Sequence, residues 1–292
     1  QKSDFFDKKV YFFLYVIFCR TKLMKLYHEG ETNMNITKYW KVATTSLAIS
    51  LLPSLAMAAD ANLKPDDFVG ISFWLISMAL VASTVFFFIE RDRVDAKWKT
   101  SLTVSGLVTL VAAVHYFYMR DVWVSTGETP TVYRYIDWLI TVPLLMVEFF
   151  LILSAITKVP ARVFWKLLIG TTLMLIFGYL GEAGYMDVTI AFVIGTVAWL
   201  YVLYEIFYGE AGRLNAENAS PAVQSAFSLM RLIVTFGWAI YPIGYVMGYM
   251  MGTADADTLN IIYNLADVLN KIAFGLIIWH VAVTETEAKA GK

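Results

Sequence analysis

The sequence predicts an all-α membrane protein, a seven-transmembrane-helix bundle with its N-terminus outside and its C-terminus cytoplasmic. Three observations carry that expectation. First, 59% of the 292 residues are hydrophobic and 16% are charged, against an apolar content of roughly 45–50% in soluble domains. Second, the charges gather between long uncharged runs, and only helices or closed barrels satisfy their backbone groups in lipid. The alternating segments of about 10 residues that mark barrel strands do not occur in this sequence. Third, Lys and Arg alternate from loop to loop in the way that orients a helical bundle.

The N-terminal segment stands apart from the bundle. The stretch from Tyr11 to Cys19 is apolar but falls short of the ~20 residues a span needs. Further on, Met34 is followed by basic Lys38 and Lys41, an apolar run over 42–55, and the small-x-small tripeptide Ala56-Met57-Ala58. That order is the signature of a secretory signal peptide. We therefore expect an upstream leader of unclear status over 1–33, a signal peptide over 34–58 cut after Ala58, and the seven-helix domain over 59–292. An uncleaved anchor helix is the alternative. Cys19 is the single cysteine, so no internal disulfide framework is available. The net charge of -1 gives no sign of a nucleic-acid partner.

Seven apolar runs follow, at 68–89, 100–119, 131–155, 163–181, 187–208, 222–251 and 258–283. Most match the ~30 Å hydrocarbon core; the fourth is short, and the sixth starts with a polar extension. Loop one carries Arg91, Arg93, Lys97 and Lys99, loop three Lys158 and Arg162, and loop five Arg213. Loop two has only Arg120, and loops four and six have no Lys or Arg. Loops one, three and five therefore face the cytoplasm, which agrees with an exported N-terminus. Within 121–131, Gly127 and Pro130 supply turn residues, so a small β-hairpin is expected there.

Charges inside spans cost about 2.5–3.5 kcal/mol each on insertion scales and point to function by default. The third run holds Arg134, Asp137 and Glu148, and the seventh holds Asp267 and Lys271. Asp267 and Lys271 are four apart and share a helix face. Lys271 lies midway along its run, where a neutral amine is a nucleophile toward an aldehyde and forms a Schiff base. A plain Asp–Lys bridge stapling the bundle is the structural alternative.

The third helix favours the chemical reading. Arg134 and Asp137 are three apart near its outer end, and Thr141 is one turn deeper. Glu148 lies eleven residues beyond Asp137 on the same face, about 16 Å along the axis at ~1.5 Å per residue. A protonated nitrogen on Lys271 needs counter-charge, and Asp137 and Asp267 both lie on its outer side. Arg134 favours the ionised form of Asp137. Glu148 sits among Leu144, Leu145, Leu151 and Ile152, and that apolar setting favours the neutral, protonated form. A protonated group inside can donate and an ionised group outside can accept, so the column moves a proton outward through a central nitrogen. His115, midway along the second run, is placed to hydrogen-bond Asp137 and tune it, with an ordinary interhelical polar contact as the alternative. Trp138, next to Asp137, and Trp238 and Tyr241, beside Pro242 in the sixth run, are candidates to wall a ligand box, or simply to pack.

Taken together, these residues resemble the microbial rhodopsins, and within them the green-absorbing proteorhodopsin type. The resemblance rests on Arg134-Tyr135-Ile136-Asp137-Trp138-Leu139, Thr141-Val142-Pro143-Leu144-Leu145 and Glu148-Phe149. It rests also on Gly178 to Gly184, Ser220 to Phe227, and Tyr263-Asn264-Leu265-Ala266-Asp267 with Asn270-Lys271. It covers about 67–284. It implies all-trans-retinal bound to Lys271 as a Schiff base, Asp137 as counterion and proton acceptor, and Asp267 as second counterion. Glu148 would be the proton donor and His115 the partner of Asp137. Leu145 would set the colour, an apolar residue there resembling the green-absorbing type where glutamine would suggest blue. The resemblance further implies transport of protons rather than enzymatic turnover, a cell inner-membrane location, surrounding lipid and assembly as a pentamer or hexamer. No metal and no nucleic acid are implied. Asp137 argues against a chloride-pumping relative, and Asp137 with Glu148 against a sodium-pumping one. A sensory rhodopsin signalling through a transducer is the functional alternative, and a retinal-free seven-helix receptor or transporter the structural one.

Overall fold

The computed structural model describes residues 63–291; the leader and signal-peptide expectations fall outside the described residues. Seven helices are long and apolar enough to cross a membrane: α1 Phe68–Arg93, α2 Ala96–Thr126, α3 Thr131–Ser154, α4 Ala161–Glu182, α5 Val188–Asn218, α6 Pro221–Met250 and α7 Ala256–Ala290. Consecutive helices pack side by side, and α7 closes the ring against α1, α2 and α6. For orientation within the bundle, loops one, three and five define the odd-loop end and the others the even-loop end.

The helix starts follow from local chemistry. A side-chain oxygen that accepts from the free N–H groups of a first turn stabilises the end by ~1 kcal/mol. Asp67 does this for α1 through the Gly70 N–H at 2.7 Å and also accepts from Trp123 Nε1 of α2 at 3.1 Å. Asp187 caps α5 through Thr189 and Ile190. Ser220 caps α6, with Pro221 at the first helical position, where its missing N–H costs nothing.

The expected β-hairpin in loop two is not there. Helix α2 continues through Asp121, Val122, Trp123 and Val124 to Thr126, because no residue before Gly127 interrupts it. Gly127 takes a left-handed φ of 69° and sends its N–H to the Trp123 carbonyl at 2.8 Å, the usual glycine stop. Only 127–130 remain before α3, too few for two strands, and no strand occurs among the described residues. The fourth helix, Ala161–Glu182, is longer than its apolar run, and α7 extends past it to Ala290.

Three segments depart from the regular α-helix. Helix α6 contains π-helical turns at Ile233–Gly237 and Val246–Met250, and α7 contains one at Val268–Ala273. Such turns are rare and collect at functional sites. A π turn leaves carbonyls without their usual partners, and in α6 neighbouring helices supply donors. Trp199 Nε1 donates to the Val234 carbonyl at 3.1 Å, and Asn270 Nδ2 to the Gly237 carbonyl at 3.1 Å. Gly237 is required for the second contact, because a Cβ there would collide with Asn270 Oδ1.

The bundle is apolar outside and holds its charges within. Leu75, Ile89, Val197, Leu200 and Phe236 are exposed on the perimeter, where lipid tails solvate them. An apolar cluster including Trp98, Leu102, Phe149, Ile152, Phe227 and Phe274 fills the odd-loop half. Tyr135, Trp138, Leu175, Leu259 and Tyr263 pack toward the even-loop end. Between and beside them lie Arg134, Asp137, Thr141, Glu148, Asp267 and Lys271, all buried.

Candidate functional site

Lys271 sits in the π turn of α7 and is 2% exposed. Its Nζ donates to Asp137 Oδ2 at 2.8 Å and to Asp267 Oδ2 at 2.7 Å. The amine thus bridges α3 and α7 with a carboxylate from each, both fully enclosed. A buried ammonium persists only with such partners. Asp267 is held by further donors. Tyr116 OH of α2 donates to its Oδ2 at 2.8 Å, Trp138 Nε1 of α3 to its Oδ1 at 3.3 Å, and Tyr241 OH of α6 to the same oxygen through a very short hydrogen bond. Four helices therefore converge on one carboxylate.

The other expected contacts are partly redrawn. Arg134 does not pair with Asp137. Its Nη2 donates to Asn260 Oδ1 at 2.8 Å and Asn264 Oδ1 at 3.1 Å, and its guanidinium lies over the rings of Phe73, Trp138 and Tyr263. Three-residue spacing on α3 puts the two groups on one face, but the arginine reaches across to α7 for neutral acceptors. Likewise His115 does not hydrogen-bond Asp137. Its Nδ1 donates to the Val111 carbonyl at 2.8 Å and stands 3.9 Å from Asp137 Oδ1. Thr141 donates to the Asp137 carbonyl at 2.9 Å, so its hydroxyl is engaged by the backbone of α3, which also contains Pro143.

Glu148 lies beyond Lys271 toward the odd-loop end, as the spacing predicts. It is fully buried, and its Oε1 accepts from Ser105 Oγ of α2 at 2.9 Å. A cavity starts at Lys271 and runs between α3, α4, α5 and α6. Trp138 and Leu145 of α3, Trp199 of α5, and Trp238 and Tyr241 of α6 form its walls. Glu182 of α4 reaches the same cavity and accepts from Tyr135 OH at 2.9 Å. Sequence reasoning did not assign Tyr116, Ser105, Asn270, Trp199 or Glu182 to the site. Glu182 and Asn270, both inside stretches that carried the resemblance, were the two with a visible signal.

A seven-helix membrane bundle with one internal lysine, paired with two carboxylates at the mouth of an aromatic cavity, defines the class of protein. The bacteriorhodopsin-like protein family model matches residues 67–285, and the chain belongs to that family. It is 60% identical to the green-light absorbing proteorhodopsin of Gamma-proteobacterium EBAC31A08, over 82% of this chain and 96% of that one. Among solved structures it is similar to the blue light-absorbing proteorhodopsin from Med12, at 57% identity and a TM-score of 0.66, covering 75% of this chain and 100% of that one. It is also similar to xanthorhodopsin, described as a light-driven ion pump with dual chromophore. That match has 28% identity and a TM-score of 0.69, over 78% of this chain and 98% of that one.

Proposed function

We propose that this chain is a light-driven outward proton pump that carries all-trans-retinal on Lys271. The observation that carries the reading is the placement of Lys271 Nζ between Asp137 and Asp267, with Glu148 on the opposite side of it. The residues fit the chromophore: a long apolar cavity with three tryptophans in its walls ends at a buried amine. All-trans-retinal held on Lys271 would supply absorption of visible light and a light-dependent change in the proton affinity of that nitrogen.

The protein's own groups then do the transport. Asp137, 2.8 Å from the nitrogen, takes its proton and passes charge toward the even-loop side. Asp267 keeps its negative charge, because Tyr116, Trp138 and Tyr241 all donate to it. Arg134, fixed by Asn260 and Asn264, balances the two carboxylates: with Lys271 the buried group holds two positive and two negative charges. Glu148, neutral among apolar neighbours, returns a proton to the nitrogen from the odd-loop side. His115 tunes Asp137 from a distance, and Thr141 fixes the turn that carries it. Trp138, Trp238 and Tyr241 exclude water and hold the ligand's shape. Leu145, buried in the cavity wall, sets green absorption. The colour assignment rests on that residue, since green- and blue-absorbing relatives are almost equally similar to the chain.

Odd loops facing the cytoplasm make the direction outward. The protein sits in the plasma membrane as a multi-pass protein, with a pentamer or hexamer as the expected assembly. The test is light-driven pH change in unbuffered cells expressing the full chain with retinal added. External acidification that a protonophore abolishes is the expected result. A coloured protein without pH change would overturn the pump and favour a sensor.

A further inference from the structure

The route by which Glu148 is refilled has its own residues. On α2, Trp98, Ser101 and Ser105 follow at i, i+3 and i+7 and share one face. All three are buried, at 0%, 0% and 3% exposure. Ser105 donates to Glu148 Oε1 at 2.9 Å. Ser101 lies one turn nearer the odd-loop end on the face that Ser105 turns to Glu148, and its Oγ and Glu148 Oε2 are both buried without a hydrogen-bond partner. A buried polar atom without a partner is destabilising, and here two unmatched atoms lie on the same side of the bundle. The apolar cluster packed in this half, with Leu102, Phe149, Ile152, Phe227 and Phe274, offers no group that can carry a proton. Trp98 has only an N–H to offer and cannot pass a proton on, so Ser101 is the outermost hydroxyl of the column.

We propose that Ser101 is the relay through which Glu148 regains its proton from the odd-loop side. Once Glu148 has donated, its carboxylate accepts the Ser101 hydroxyl proton. Ser101 takes another proton from the solvent side in the same exchange and ends neutral, so one O–H breaks and one forms at each transfer. Ser105 holds Oε1 in place and leaves Oε2 to receive. Ser101 is thus a positioning and relay residue acting through Glu148, and the proposal rests on the donor role assigned to Glu148 above.

Time-resolved infrared spectroscopy of the retinal-loaded full chain in lipid vesicles tests it, by following the carboxyl C=O band of Glu148 as it disappears and returns. Ser101→Ala should shift the resting band and slow its return on the order of tenfold, a fraction of the ~10²–10⁴ that acid–base assistance supplies. Disappearance of the band should be unchanged. Ser101→Thr, which keeps the hydroxyl, should restore the return, and Ser101→Cys should fall between. A purely structural role would move the visible band or the disappearance as well, and would not sort the variants by hydroxyl. If Ser101→Ala returns at the wild-type rate while Glu148→Gln removes the band and slows reprotonation of the Lys271 nitrogen, the relay is refuted and the donor role stands. If Glu148→Gln changes neither, the donor role falls and the relay with it.

Discussion

Replacing Tyr116 with phenylalanine removes one oxygen and leaves a ring of the same shape in a fully buried position. The lost contact is the 2.8 Å hydrogen bond to Asp267 Oδ2, the oxygen that also accepts from Lys271. Hydrogen bonds to charged groups contribute ~1.5–3 kcal/mol. For a bundle of this size each kcal/mol moves the unfolding midpoint by ~2–4 °C, so the substitution should lower it by roughly 3–12 °C. The assay is loss of the visible band on heating retinal-loaded protein in nanodiscs at one fixed scan rate, since such unfolding is governed by rates. A double-mutant cycle isolates the bond. In an Asp267→Asn background the hydroxyl faces a neutral acceptor worth ~1 kcal/mol, so Tyr116→Phe should cost about half as much there. Equal losses in both backgrounds would show that the hydroxyl acts elsewhere. No loss in the wild-type background would remove Tyr116 from the site.

Lys271→Ala should abolish the visible pigment on reconstitution with retinal, and a retained band would end the attachment assignment. Asp137→Asn should eliminate the acid–alkaline colour shift in a spectroscopic titration, whereas a surviving shift would transfer that titration to Asp267. Leu145→Gln should move the absorption band toward the blue; an unmoved band would detach colour from that wall of the cavity. At the start of α7, Asp255 accepts the Thr258 N–H at 2.9 Å, and that bond holds its carboxyl below the usual value. The cap is therefore at full strength above the unfolded value of about 3.9 and is lost as pH falls through the lower folded value. The protection factor of the Thr258 amide, the exchange rate corrected for its intrinsic pH dependence, should fall as pH drops below about 3.9, and Asp255→Asn should flatten that dependence.

The spans were legible because a helix crossing lipid must be apolar on every side for ~20 residues, and runs of that length stand out. Asp137, Glu148, Asp267 and Lys271 were legible for the converse reason, as charges where charges are costly. Two of their partners were not. Ser105 and Tyr116 are neutral residues common in any helix, and each meets its carboxylate on a different helix, which no spacing rule reveals. Same-helix spacing also misassigned Arg134, whose acceptors Asn260 and Asn264 lie on α7. In loop two the turn residues Gly127 and Pro130 fit a hairpin equally well by sequence, but one is a helix stop and the other immediately precedes the next helix.

The π turn at Val268–Ala273 also sets a rule for chain length. An α-helix advances about 100° per residue, so deleting one residue ordinarily swings everything beyond the cut to a new face. Within 268–273 the same deletion would let the wide turn relax to a regular one with its hydrogen bonds intact. The helix would survive with Asp267 and Phe274 near their present phase, but the amine inside the turn would be carried off its bearing. The extra residue is thus a local offset that aims Lys271, and an engineered graft of this helix must keep the residue count of 268–273 as faithfully as the lysine itself.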